Sequence, residues 1–208
     1  MLVLYHAPLA CSLASRLALH ESGLPHKIEF VHTTRGEQNA ASYQRINPRQ
    51  QVPALVTDNG VLTESTAILP YIADLVPEKG LLPSADAFAR ARAQSWLSFL
   101  SSTVHAAFGA AAMPKAGADN DTALNAAIER LAKAYRDVDT HLDGKDHLLE
   151  SFSVCDIYLS VFALWRSAPA VAGKLPSFSN IDRLQQSVLG RPGYLAIIGE
   201  EVKLRSDA

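Results

Sequence analysis

Two patterns divide the chain. Over roughly the first third, short apolar runs of strand length alternate with stretches spaced as helices, and beyond that only helical spacing occurs. Leu2-Val3-Leu4-Tyr5 ends in the turn-like His6-Ala7-Pro8 and predicts a buried strand. Residues 11–22 favour or tolerate helix, with Leu13 and Leu17 on one face, and Gly23 followed by Pro25 stops them. Lys27 to Val31 alternates as a half-buried strand does, so the opening reads β-α-β, a parallel pair joined by a right-handed crossover. The polar stretch from Thr33 to Ser42 is expected to hold an irregular or short second helix. Ala54 to Thr57 and Val61 to Thr63 flank Asn59-Gly60, a strong hairpin signal. A helix from near Glu64 to Leu75 buries Ile68, Tyr71, Ile72 and Leu75, and Pro77 ends it.

This gives an α/β domain over residues 1–76, a linker over 77–86 (PEKGLLPSA over 77–85) and an all-helical domain over 87–208. In the second part, one long helix runs from Ala87 to Met113 before Pro114, a loop covers Lys115 to Asn120, and a second helix spans Thr122 to Leu142. Ser153-Val154-Cys155-Asp156 has capping-box spacing, with Asp at the third helical position. The helix beyond it, Ile157 to Ser167, is apolar nearly all round and belongs in a core. Shorter helices follow around Ile181–Val188 and Tyr194–Lys203.

Composition narrows the function classes. The chain has 208 residues, 48% hydrophobic and 19% charged, which suits a globular protein. Nineteen basic against twenty-one acidic residues give a net charge of −2, so nothing points to nucleic acid or an anionic membrane. No apolar run approaches the ~20 residues that span a bilayer. The apolar start lacks a basic n-region, the first Lys or Arg being Arg16, so it is expected to be a strand and turn of a cytoplasmic protein. Cys11 and Cys155 form no CxxC, and free thiols are the default reading.

Two local features stand out chemically. In Gln51-Val52-Pro53-Ala54-Leu55-Val56, a proline sits where a buried strand begins, although it has no N–H to give to a sheet. It either caps an edge strand or serves a ligand. Thr63-Glu64-Ser65 puts a carboxylate and a hydroxyl at a helix start, which is ordinary capping chemistry and also anion-binding chemistry.

Taken in order, the β-α-β-α-β-β-α unit, Q-V-P-A-L before the third strand, T-E-S-x-A-I opening the last helix, and the S-x-x-D cap of a helical second half resemble the glutathione transferase superfamily. P-L-A-C-S-L-A near the start, with His105 in the long helix, resembles the bacterial beta class. The resemblance covers essentially the whole chain. It implies a thioredoxin-like domain with a helical domain, and a transferase that activates the thiol of glutathione for attack on a hydrophobic electrophile. It also implies a homodimer in which the α/β domain of one chain meets the helical domain of the other, with glutathione as co-substrate and no metal.

The resemblance further implies roles. Pro53 is cis and Val52 offers its backbone to glutathione, an extended peptide added at a strand edge. Ala10, Gln51, Glu64 and Ser65 join the glutathione site, Ser65 and the helix N-terminus taking the γ-glutamyl carboxylate and Glu64 facing its ammonium. Arg35 is the candidate for the glycine carboxylate, ahead of Arg49 and Gln50. Glutathione's thiol has an ordinary pKa near 8.5, so an enzyme must favour the thiolate. Cys11 and Ser12 at the first helix, with His105, are the catalytic candidates. Cys11 either hydrogen-bonds the sulfur or forms a mixed disulfide with it. His6, Leu9, Phe108 and Trp165 are the candidates for the electrophile pocket. The loop from Tyr5 to Cys11 is one residue longer than in many beta-class sequences, Ala106 stands where a lysine is frequent, and Ser98 where an asparagine is. A glutathione-dependent thiol-disulfide oxidoreductase using Cys11 and a non-catalytic binding scaffold are the alternative functions.

Overall fold

The computed structural model describes residues 1–83, 86–112 and 120–206 and divides into two compact units, Met1–Ser84 with Gly190–Ala208, and Ala85–Leu189. The first contains β1 (Leu2–His6), α1 (Leu13–Ser22), β2 (His26–Phe30), α2 (Ala41–Gln44), β3 (Ala54–Thr57), β4 (Gly60–Thr63), α3 (Ser65–Asp74) and a last helix. The sheet order is β2-β1-β3-β4, with β1 parallel to β2 and the β1–β3 and β3–β4 pairs antiparallel. The order of strands and helices is the one expected from their spacing, and the arrangement is the thioredoxin-like one that the resemblance implies.

Local chemistry accounts for each boundary. Leu4, Leu13, Leu17 and Leu55 are fully buried, and Gly23 ends α1 in the left-handed conformation at φ 70°, a position that suits a residue without Cβ. The polar stretch after β2 forms 3₁₀ turns at Thr33–Arg35 and Glu37–Asn39 before the short α2. The hairpin pairs Thr57 with Gly60, so its two turn residues are Asp58 and Asn59 and Gly60 opens β4. The Thr57 hydroxyl accepts from the Asn59 amide at 3.1 Å, which stabilises that register. The Val52–Pro53 peptide is cis, as expected.

The helical unit contains α4 (Ala87–Phe99), α5 (Ala106–Ala112), α6 (Asn120–His141), α7 (Val154–Trp165) and α8 (Ser179–Leu189). Its centre is α7, buried from Val154 through Ala163 and opened by the expected capping box: the Ser153 amide donates to Asp156 at 2.8 Å and the Cys155 amide to the Ser153 hydroxyl at 3.2 Å. The long first helix is not uniform. Between α4 and α5, Leu100–His105 is a π-helical segment. Ser102 donates its hydroxyl to the Ser98 carbonyl at 2.8 Å, a back-bond that competes with helical pairing in this Ser-Ser-Thr run. The helix end expected at Pro114 and most of the loop after it lie outside the described residues.

The final helix, α9 (Tyr194–Ser206), corrects the expected boundary, because residues 190–208 group with the α/β unit and not with the helices from 87 onward. Its attachment is largely polar. Arg191 holds Glu21 in a two-bond pair at 2.9 and 2.5 Å, His20 bonds the Pro192 carbonyl at 2.9 Å, and Glu201 of α9 is fully enclosed against α1 and the turn before it. Apolar spacing alone does not register such anchors. The expected linker is also packed at its middle, where Leu81 and Leu82 are buried after the exposed residues 77–80.

Gly193 tests this attachment. It sits at φ 82°, and a Cβ there would overlap the His20 ring, which its bond to Pro192 holds in place. Gly193→Ala should lower stability by about 1–3 kcal/mol, read as a fall in the thermal midpoint, whereas Gly199→Ala, with open space around it, should not.

Candidate functional site

Three loops of the α/β unit carry non-glycine residues at positive φ: Leu9 at 56°, Gln50 at 58° and Glu64 at 71°. Left-handed backbone disfavours residues with a Cβ, and such strain persists only where surrounding structure holds it, most often at functional sites. Here each strained residue directly precedes a segment expected to bind: Ala10-Cys11, Gln51-Val52-Pro53, and Ser65.

The three segments are bonded or placed close together. Cys11, only 9% exposed, donates its thiol to the Val52 carbonyl at 3.5 Å. The charge on Glu64 is near enough to raise the Cys11 pKa. Behind Val52, the Gln51 carbonyl accepts from the Tyr43 hydroxyl at 2.6 Å and from Asn47 Nδ2 at 2.7 Å, which fixes the approach to Pro53. Ser65 is buried at the start of α3, and the Glu64 carbonyl accepts from the amides of Ala67 and Ile68, the first internal bonds of that helix. The amides ahead of them, at Ser65 and Thr66, are the ones a helix start directs outward. The exposed Glu64 carboxylate lies 3.6 Å from Arg49, whose guanidinium also bonds Thr63 at 3.1 Å. Arg35 is exposed in its 3₁₀ turn.

A second cluster lies beneath the Cys11 turn. His6 is fully enclosed, its Nδ1 2.7 Å from the Ser12 hydroxyl and its Nε2 2.7 Å from Glu201. Glu201 also accepts from Arg16, which reaches Glu200 as well, and from the Leu9 amide at 2.7 Å. Burial pushes the Glu201 carboxyl up, yet the donors from His6, Leu9 and Arg16 hold it below the ordinary carboxylate range. This corrects two expectations. His6 lines no open pocket, because both ring nitrogens are used inside the fold. Ser12, also fully buried, is bonded to His6 and to the Ala7 amide at 3.2 Å, and so works within the turn.

In the helical unit, His105 ends the π-helical segment, half-buried, with its ring 5.4 Å from Phe162 and 5.3 Å from Trp165. Phe108 is 3% exposed and packs at 5.5 Å on Trp165, so it contributes to the core of this cluster and not to its surface, as had been expected. Trp165 is half-buried. Cys155 is fully buried and donates to the Ala93 carbonyl at 3.5 Å, a core residue. Among the described residues no group of three or more His, Cys, Asp or Glu could hold a metal ion, and no helix is long and apolar enough to cross a membrane.

The model of the glutathione S-transferase N-terminal domain matches residues 1–74. Glutathione S-transferase GstA of Escherichia coli O157:H7 is 32% identical over 192 residues, 91% of this chain and 93% of that protein. The chain belongs to the glutathione S-transferase family. Among solved structures, a sphingomonad glutathione S-transferase complexed with glutathione is 36% identical with a TM-score of 0.84, covering 96% of this chain and 98% of that one. The bacterial beta-class transferase of Sphingomonas chungbukensis is 34% identical with a TM-score of 0.84 over the same shares. These place the present transferase with the bacterial, beta-class-like members.

Sequence reasoning placed Leu9 in the electrophile pocket and Gln50 behind Arg35 for the glycine carboxylate, without their positive φ, and it missed Arg16 and Glu201 as supports of this site. Arg16 and Glu201 are 185 residues apart and no local spacing links them. Leu, Gln and Glu carry no signature of positive φ.

Cys11 is a protonated thiol in this state. Burial pushes its pKa up to about 11, only partly offset by the amides of Ser12 and Cys11 itself, and the Glu64 charge adds to the rise. Alkylation of Cys11 by iodoacetamide, followed by peptide mass spectrometry, should therefore rise with a midpoint near 11. Because the folded-state pKa is raised, the neutral thiol favours the folded state below the ordinary value of 9.0, and that stability should be lost as pH climbs through about 11.

Proposed function

We propose that this transferase binds reduced glutathione along Val52 and conjugates its sulfur to a hydrophobic electrophile. The observation that carries the reading is the convergence of three left-handed residues on Cys11, Val52 and Ser65, with Cys11 donating to the Val52 carbonyl. In this reading the Val52 backbone pairs with the cysteinyl unit of the peptide, in the manner of an added strand. The γ-glutamyl carboxylate lies on Ser65 and the first amides of α3, where the helix dipole and outward N–H groups favour an anion. Glu64 takes the ammonium, Ala10 and Gln51 line the peptide, and Arg49 or Arg35 takes the glycine carboxylate. Arg35 comes first, because Arg49 is already beside Glu64 and Thr63, which this reading gives to the other end of the peptide.

Bound glutathione presents its sulfur to the Cys11 thiol, which turns from the Val52 carbonyl to donate to it. A thiol donor stabilises a neighbouring thiolate and so favours ionisation of glutathione over that of Cys11. The raised pKa of Cys11 counts against the oxidoreductase alternative, in which Cys11 itself must be the attacking thiolate. His105 is proposed as a second donor or proton acceptor. The half-buried edge of the aromatic cluster at Trp165 is the proposed contact for the electrophile in the helical unit. We further infer a cytoplasmic homodimer, which sedimentation will test.

Two substitutions separate binding from chemistry. Ser65→Ala should weaken glutathione binding about ten- to hundredfold, the worth of one hydrogen bond to a charged group, read by calorimetry. Cys11→Ala should leave that affinity within about threefold but lower turnover roughly 10–100-fold. The reverse pattern would overturn these assignments.

A further inference from the structure

The turn that carries Cys11 is held in place from the other end of the chain. Leu9, at φ 56°, gives its amide to Glu201 Oε2 at 2.7 Å. The other oxygen of that carboxylate accepts from His6 Nε2 at 2.7 Å and from Arg16. One helical turn further along α9, Arg205 donates to the Pro8 carbonyl at 3.3 Å. On the far side of the turn, His6 Nδ1 meets the Ser12 hydroxyl at 2.7 Å, and that oxygen accepts the Ala7 amide at 3.2 Å. Pro8, Leu9, His6 and Ser12, which bracket Cys11 in sequence, are thus all bonded directly or through one ring to α9. The charged groups around His6 are Glu201 and, behind it, Arg16 with Glu200. Phe30 covers one face of the imidazole with its centroid 5.8 Å away, and Arg16 lies over that same phenyl ring.

Proton accounting shows what this does to Ser12. Glu201, ionised, can only accept, so His6 Nε2 carries a hydrogen. If the imidazole is neutral, Nδ1 accepts the Ser12 hydroxyl hydrogen. If it is protonated, Nδ1 donates to Ser12 and the hydroxyl hydrogen is left to the Ala7 carbonyl at 3.5 Å. In both states the hydroxyl is spent inside the turn, and Cys11 is the side chain of this pair that faces Val52.

We propose that Glu201 is a positioning residue for the transferase reaction: by holding Leu9 directly, and Ser12 through His6, it fixes Cys11 Sγ where glutathione's sulfur arrives. The proposal rests on the reading that glutathione lies along Val52. A structural ion pair that merely fastens α9 would stabilise the fold without controlling the place of Cys11. The two roles differ in what they move.

The test compares Glu201→Gln with wild type and with Glu200→Gln, which alters Arg16's other partner but touches neither His6 nor the turn. Steady-state kinetics with a nitroaryl halide give kcat and the KM for glutathione, and iodoacetamide at fixed pH gives the alkylation rate of Cys11. Glu201→Gln should lower kcat about tenfold, leave KM within about threefold, and speed alkylation about tenfold as the turn loosens. Glu200→Gln should match wild type in all three. A folded Glu201→Gln protein with wild-type kcat and alkylation rate overturns the proposal, whatever its thermal midpoint. If Glu201→Gln does not fold, His6→Phe keeps the ring volume beside Phe30, removes the relay, and is judged by the same two readouts. Failure of wild type to bind glutathione would overturn the reading along Val52. The alkylation ratio then decides the hold on Cys11 independently, a rise supporting it and equality overturning it.

Discussion

The charge on Glu201 is the constraint around which the α/β unit is arranged. A carboxylate removed from water loses solvation worth several kcal/mol, and it survives only where donors replace that solvation. Arg16, His6 and the Leu9 amide do so here, from α1, the end of β1 and the loop between them. Each donor is itself fixed by the arrangement, which orients α1, orders the turn before it and closes α9 over both. Removing the carboxylate would leave Arg16 and His6 enclosed with unmatched donors, so α9 cannot simply be trimmed away from the unit it completes.

The consequence reaches the backbone. Leu9 holds a left-handed conformation that disfavours a leucine by about 1–3 kcal/mol, and the charge-assisted bond from its amide to Glu201 is of comparable size. The loop between Tyr5 and Cys11 thereby closes as a strained turn that brings Cys11 to the Val52 carbonyl. Gln50 and Glu64 are likewise at positive φ on the two other loops, the Gln50 amide being held by the Asn47 carbonyl at 2.9 Å. A site assembled from three strained loops on a rigid sheet is preorganised, because the ordering of each loop is completed on folding and not on ligand arrival.

Most of the fold was legible because it is encoded in short-range patterns. Apolar runs located β1, β3 and β4, Gly23 located the end of α1, and Ser153 with Asp156 located the start of α7. The candidate site was legible in outline for the same reason, since Val52-Pro53 and Glu64-Ser65 are local motifs. The parts that escaped depend on partners far apart in the chain. The Arg16–Glu201 and Glu21–Arg191 pairs join residues 185 and 170 positions apart, and they moved α9 from the helical unit to the other one. His6 is expected in the electrophile pocket because nothing local in the sequence marks Glu201 and Ser12 as the partners that enclose it. The π-helical segment left only the faint trace of a Ser-Ser-Thr run.

The chemistry of the two sulfurs follows from their different surroundings. Deprotonating a thiol whose pKa is about 11 at neutral pH requires about 5 kcal/mol, whereas an ordinary thiol near 8.5 requires about 2. Cys11 therefore keeps its proton while a second thiol arriving beside it is the easier one to ionise. The same burial that makes Cys11 a poor nucleophile makes it a good donor, since water does not compete for its hydrogen. The Val52 carbonyl accepts from that donor, and in the proposed reaction the glutathione thiolate, as the stronger acceptor, draws it away. In the proposed mechanism Cys11 acts without changing its own charge, provided the turn beneath it does not move, and the bonds from His6, Arg16 and the Leu9 amide to the enclosed carboxylate of Glu201 are what would hold that turn.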